Sequence, residues 1–116
     1  MIATFFCLAL AAIDGDGIAC RDGTRLRLAG VNAREMRGNP CPKQRPCPAM
    51  SAARSRQVLD GMVRGKALAC VRHDVSWGRP VVSCAVGGVD VRCAMLAAGA
   101  VARWPEYERR YRLGRC

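Results

Sequence analysis

Two acidic residues and two glycines stand together at Asp14-Gly15-Asp16-Gly17. Such a quartet makes a tight turn, and it also makes one lobe of a hard-oxygen metal site. Downstream, Arg27 and Glu35 lie eight residues apart across a strand end, and Arg79 follows the glycine of Trp77-Gly78-Arg79. Guanidinium forks suit phosphate, and a nearby carboxylate can orient or deprotonate water. Each residue also has an ordinary role: turn former, solvated strand face, loop acid, hairpin tip. The question is whether the fold gathers them.

The bulk charge points the same way. Of 116 residues, 19 are Lys or Arg and 9 are Asp or Glu, a formal net charge of +10. Apart from Lys43 and Lys66, every basic residue is arginine. That field favours polyanions such as nucleic acid, and a basic solvated surface is the plainer alternative. With 51% apolar residues the chain has a core to build, and its length fits one domain over residues 1–116.

The elements follow from periodicity. Residues 4–13 and 17–21 read as strands on either side of the acidic turn. Asp22-Gly23 then predicts a two-residue hairpin turn into a third strand, where Leu26 and Leu28 alternate with Arg25 and Arg27. Residues 36–48 form a proline-rich loop in which Cys41 and Cys47 are near enough to pair. A helix is expected from about Ala49 to Arg64, stopped by Gly65. Two strands follow, 67–75 and 80–86, then a short helix from about Asp90 to Ala98 and a last helix over 105–116 with Glu106 and Arg110 at i,i+4. His73 falls on a strand and reads as a strand residue. The fold class is mainly β with helices (α+β). Three strands, a helix and two more strands fit a five-stranded Greek-key barrel of the OB type with two to three helices. Other α+β folds share that count.

The ordered set "DGDG", "RLAGVNARE", "WGR" and "GAVA" resembles the staphylococcal nuclease-like (thermonuclease) family over about residues 8–112. The resemblance implies metal-assisted hydrolysis of DNA or RNA phosphodiesters without sequence specificity, with Ca²⁺ or another divalent cation. It implies that Asp16, Asn32, the Ala33 carbonyl and Glu35 hold the ion. Glu35 is further implied as the carboxylate acting on water, and Arg27 and Arg79 as the pair facing the phosphate. Trp77 is implied as an aromatic face against a base. Asn32 stands where the family has a second carboxylate, Gly17 where it has a threonine and Arg34 where it has a proline. Those departures imply weaker calcium binding, and they keep open a nucleic-acid-binding module with little or no catalysis. A cationic toxin relying on charge and disulfides alone is the third reading.

Eight cysteines and a single histidine argue for disulfides and an oxidising, extracytoplasmic compartment rather than zinc. Once the fold is assumed, the implied pairs are Cys7–Cys20, Cys41–Cys47, Cys70–Cys84 and Cys93–Cys116. Residues 1–13 are too short to cross a bilayer, and they read as a first strand rather than a cleavable leader. A monomer without stable membrane insertion is expected.

Overall fold

The structure, a computed structural model, describes residues 4–36, 41 and 45–116. Residues 1–3, 37–40 and 42–44, which include Lys43 and much of the expected proline-rich loop, lie outside the described residues.

Strand β1 (Thr4–Asp14) buries Cys7 and Ala9 and turns Phe6, Leu8 and Leu10 outward. A β-bulge then shifts the register between Ala9 and Ala11, so the inward face passes from odd to even positions and Ala12 is buried. The acidic turn leads into β2 (Gly17–Cys20), and β3 (Arg25–Leu28) follows. Leu26 and Leu28 point into the core, and Arg25 and Arg27 point away from it, as the alternation predicts.

The β2–β3 loop corrects the expected two-residue turn. Cys20 N–H donates to the Thr24 carbonyl at 2.8 Å, leaving three residues, 21–23, outside the ladder. Gly23 takes φ +92°, the left-handed residue that a three-residue hairpin loop requires.

Strand β4 (Val31–Asn32) precedes helix α1 (Ala52–Val63). That helix starts later than expected because Ser51 caps it, its Oγ accepting from Arg54 N–H at 3.2 Å. Strands β5 (Ala67–Ser76) and β6 (Arg79–Val86) form the second hairpin, and β7 (Val89–Asp90) continues from it. Helix α2 (Val91–Ala97) is capped by Asp90, β8 (Ala102–Arg103) pairs with β4, and α3 (Pro105–Arg110) closes the order.

Helix α3 is half the length expected. Arg112 adopts φ +53°, and Leu113 N–H returns to the Glu108 carbonyl at 3.0 Å. The tail then folds back, its Gly114 carbonyl accepting from the buried Arg92, and Cys116 reaches Cys93 on α2. The expected Glu106–Arg110 pair forms at 3.3 Å.

One sheet runs β3-β2-β1-β5-β6-β7, and a parallel pairing of β3 with β6, Arg27 opposite Val81 and Leu28 opposite Val82, joins it back on itself. The protein is therefore mainly β, with three helices among the described residues. Ile18, Leu26, Leu28, Leu68 and Val82 fill the interior, and α1 covers one end with Leu59 and Val63.

All four implied disulfides are present: Cys7–Cys20, Cys41–Cys47, Cys70–Cys84 and Cys93–Cys116. Together they fit an oxidising environment. No helix among the described residues is long and apolar enough to cross a membrane.

Candidate functional site

The acidic turn is packed rather than free. A Cβ on Gly15 would lie 1.9 Å from Ser55 Oγ and 2.7 Å from Ala33 Cβ, so only glycine lets α1 and the chain after β4 close on the turn. A Cβ on Gly17 would lie 2.7 Å from Asp14 Oδ1. Its absence leaves room for that carboxylate, which accepts from Asp16 N–H at 3.1 Å. Glycine at position 17 thus makes space for Asp14.

Asp16 is buried. Its Oδ2 accepts from Ala33 N–H at 2.8 Å and lies 3.3 Å from Arg27 Nη1. Burial pushes its carboxyl up to about 7; the Arg27 charge opposes the rise, and Asp14 adds to it. Ionising Asp16 is thus costly, and a cation would relieve that cost.

Arg27 projects from β3 and is anchored through both terminal nitrogens. Nη1 donates to the Leu28 carbonyl at 2.8 Å, and Nη2 donates to the Val31 carbonyl at 3.0 Å and to Asn32 Oδ1 at 3.5 Å. Asn32, buried on β4, donates through Nδ2 to the Pro46 carbonyl at 2.8 Å.

A cavity of about 290 Å³ is lined by Asp14, Asp16, Arg27, Asn32, Ala33, Glu35 and Arg79, among others. Every proposed metal-site and phosphate-facing residue therefore borders one space. A second cavity of about 420 Å³ shares Arg27, Glu35, Arg45 and Arg79 with it and is walled by Trp77, Trp104, Tyr107 and Tyr111. Glu35 is exposed, with Arg45 Nη1 at 3.6 Å from its Oε1. Among the described residues no three His, Cys, Asp or Glu side chains are gathered closely enough to hold an ion unaided.

Trp77 is 94% exposed at the tip of the β5–β6 hairpin. Ser76 pairs with Arg79, so Trp77 and Gly78 are the whole loop, at φ +53° and +73°. Both central residues of such a turn must be left-handed, a strained choice for tryptophan.

Sequence reasoning missed Arg45 and the aromatic wall formed by α3 and its two flanking residues. Trp104, Tyr107 and Tyr111 are spaced by three and four, the period of one helix face, and that spacing is the signal that could have found them. Trp104 and Tyr107 meet edge to face at 4.8 Å, and Tyr107 and Tyr111 stack at 5.8 Å. Beyond them Tyr111 stacks on His73 at 5.6 Å, whose Nε2 contacts Ser83 Oγ at 2.7 Å. Partial burial, and then the Arg92 charge, hold that ring below the usual histidine value, which fits a neutral strand residue.

Compared with known protein families and with curated proteins, the chain finds no match.

Proposed function

We propose that this protein is a small, basic phosphodiesterase that cleaves DNA or RNA in an oxidising, extracytoplasmic setting. The observation that carries the reading is the convergence of Arg27, Glu35 and Arg79 with the Asp14–Asp16 turn on one cavity. The ring β1-β2-β3-β6-β5 is read as an OB-type barrel, a support for nucleic acid that suits the +10 charge.

In this reading Glu35 takes a proton from water as the water oxygen bonds to phosphorus. The ester P–O bond breaks, and the departing oxygen takes a proton from solvent. Arg79 faces the charge that gathers on the phosphoryl oxygens, while Arg27 adds its field from an anchored position. Asp16, Asn32, the Ala33 carbonyl and Glu35 are all oxygen donors of the kind Ca²⁺ takes, with Asp14 beside them. A divalent ion there would neutralise phosphate charge and help orient water.

A binder without catalysis is the second reading. It is favoured by one observation: Asn32 and Arg27 spend their polar groups on each other, on Pro46 and on Asp16.

Incubating the oxidised protein with single-stranded DNA at slightly alkaline pH, with Ca²⁺ or with EGTA, separates the two. Cleavage that needs the ion and falls about 10²–10³-fold in Arg79→Ala is the expected result. Retention of DNA without cleavage under any divalent ion would overturn the enzyme and leave the binder.

Trp77 gives a second expectation. Trp77→Asn suits the left-handed turn, so melting temperature should hold or rise. Affinity for a single-stranded oligonucleotide should fall about 5- to 150-fold if the ring stacks on a base. Unchanged affinity in a titration would remove Trp77 from the binding surface.

A further inference from the structure

The two cavities need guanidinium donors that are able to meet a phosphate, and Arg27 has few to offer. Its Nη1 and Nη2 groups are directed to oxygens of Leu28, Asp16, Val31 and Asn32. A guanidinium held so by its own protein contributes charge, but little bidentate hydrogen bonding.

Arg45 is placed differently. It lies in the loop closed by Cys41–Cys47, and the chain just after it is docked on the site at two points. Asn32 Nδ2 donates to the Pro46 carbonyl at 2.8 Å, and Arg34 Nε donates to the Pro48 carbonyl at 2.8 Å. The Asn32 anchor is buried, where a hydrogen bond meets little competition from water. A carboxylate at position 32 would set oxygen against the Pro46 carbonyl, and a proline at position 34 would have no side-chain donor.

The disulfide and the two anchors hold the Arg45 guanidinium 5.9 Å from the Trp104 ring centroid and 3.6 Å from Glu35 Oε1. Arg45 borders both cavities, so it stands where they join. Its pairing with Glu35 is a loose one, between side chains 47% and 57% exposed. Water screens such a pair, and a phosphate offering two oxygens to the planar fork competes well against it.

We infer that Arg45 is a further phosphate-binding residue, carried to the junction of the two cavities by a disulfide-closed loop that Asn32 and Arg34 dock. It takes a backbone phosphate of a polynucleotide where the strand passes from the smaller cavity to the larger. Asn32 then serves as the loop's anchor. The inference rests on the polynucleotide reading of this site for its ligand, but not on cleavage.

The test is binding of a fluorescently labelled eight-residue oligothymidylate, followed by anisotropy over a salt series in EGTA. Each phosphate contact to a single strand adds about 0.7 to the slope of log affinity against log salt. Arg45→Ala should lose about that much slope and bind more weakly, and Arg45→Lys should keep the slope. Asn32→Asp should lose slope as Arg45→Ala does, while its melting temperature under oxidising conditions falls by a few degrees for the buried hydrogen bond it gives up. Lys66→Ala removes one charge at a separate groove and should leave the slope unchanged.

An unchanged slope in Arg45→Ala overturns the inference, as does a parent protein that does not bind the oligonucleotide. Binding with the expected slopes but no cleavage under any divalent ion would sink the phosphodiesterase and leave Arg45 in place. Cleavage by the parent with an unaltered slope in Arg45→Ala would do the reverse.

Discussion

Gly15→Ala is expected to cost about 3 kcal/mol of folding stability, the upper end of what overpacking does. The added carbon would arrive 1.9 Å from Ser55 Oγ and 2.7 Å from Ala33 Cβ. Ser55 is fully buried on α1, and its hydroxyl is committed to the Ala100 carbonyl at 2.6 Å, so it has nowhere to turn. Ala33 is held by its N–H on Asp16. Relief must come from moving α1 or the acidic turn, and either movement displaces Asp16. Gly61→Ala is the internal contrast. Gly61 lies in α1 with open space where its Cβ would stand, so alanine there should add about 0.5–1 kcal/mol. Denaturant unfolding under oxidising conditions measures both. Equal effects from the two glycines would show that the turn is not clamped by α1.

Arg27→Met should destabilise the fold by an amount that grows with pH. Asp16 has a folded pKa of about 7 against an ordinary 3.8, so the folded state holds its proton more tightly than the unfolded chain. The stability this contributes is complete below about pH 4 and is lost as pH rises through 7. Arg27 lowers the Asp16 value, so removing its charge pushes the carboxyl higher and extends the loss above pH 7. At pH 5 the carboxyl is protonated with or without Arg27. The variant then loses chiefly the hydrogen bonds to the Leu28 and Val31 carbonyls, each worth about 1 kcal/mol. At pH 8, one unit above the parent's value, losing the counter-charge adds at most about 1.4 kcal/mol, and the total should approach about 3 kcal/mol. Unfolding curves for parent and variant at both pH values, in EGTA, give the comparison. A difference that is the same at pH 5 and pH 8 would mean that Asp16 does not titrate between them.

Much of this architecture was legible in the residues because it is local. Alternation placed Leu26 and Leu28 inward with Arg27 outward, and Gly and Asp marked the hairpins. The strand pairing implied by the family resemblance brought Cys70 opposite Cys84, as found. Features depending on distant contacts were hidden. The bulge at Leu10 follows from pairing with β2, and the two-residue strands β4 and β8 exist only because each pairs with the other. The clustering of Asp16, Glu35, Arg27 and Arg79 was readable only through the ordered motifs, since ring closure between β3 and β6 leaves no local signature.

Arg45 was invisible for a different reason. It sits in a segment whose composition reads as a loop, and nothing in a proline-rich stretch says where it docks. The clue lay in Asn32 and Arg34, which look like losses when judged against an acidic site. Their side chains instead hold the carbonyls of Pro46 and Pro48. A substitution that weakens one interaction can found another, and only the partner's position reveals it.

The chain has two tryptophans, Trp77 and Trp104, and both stand around the same 420 Å³ space. Excitation at the red edge of indole absorption would therefore light up that chamber and nothing else in the molecule. The protein carries its own optical reporter, so an unlabelled guest can be followed there by the emission it quenches or shifts.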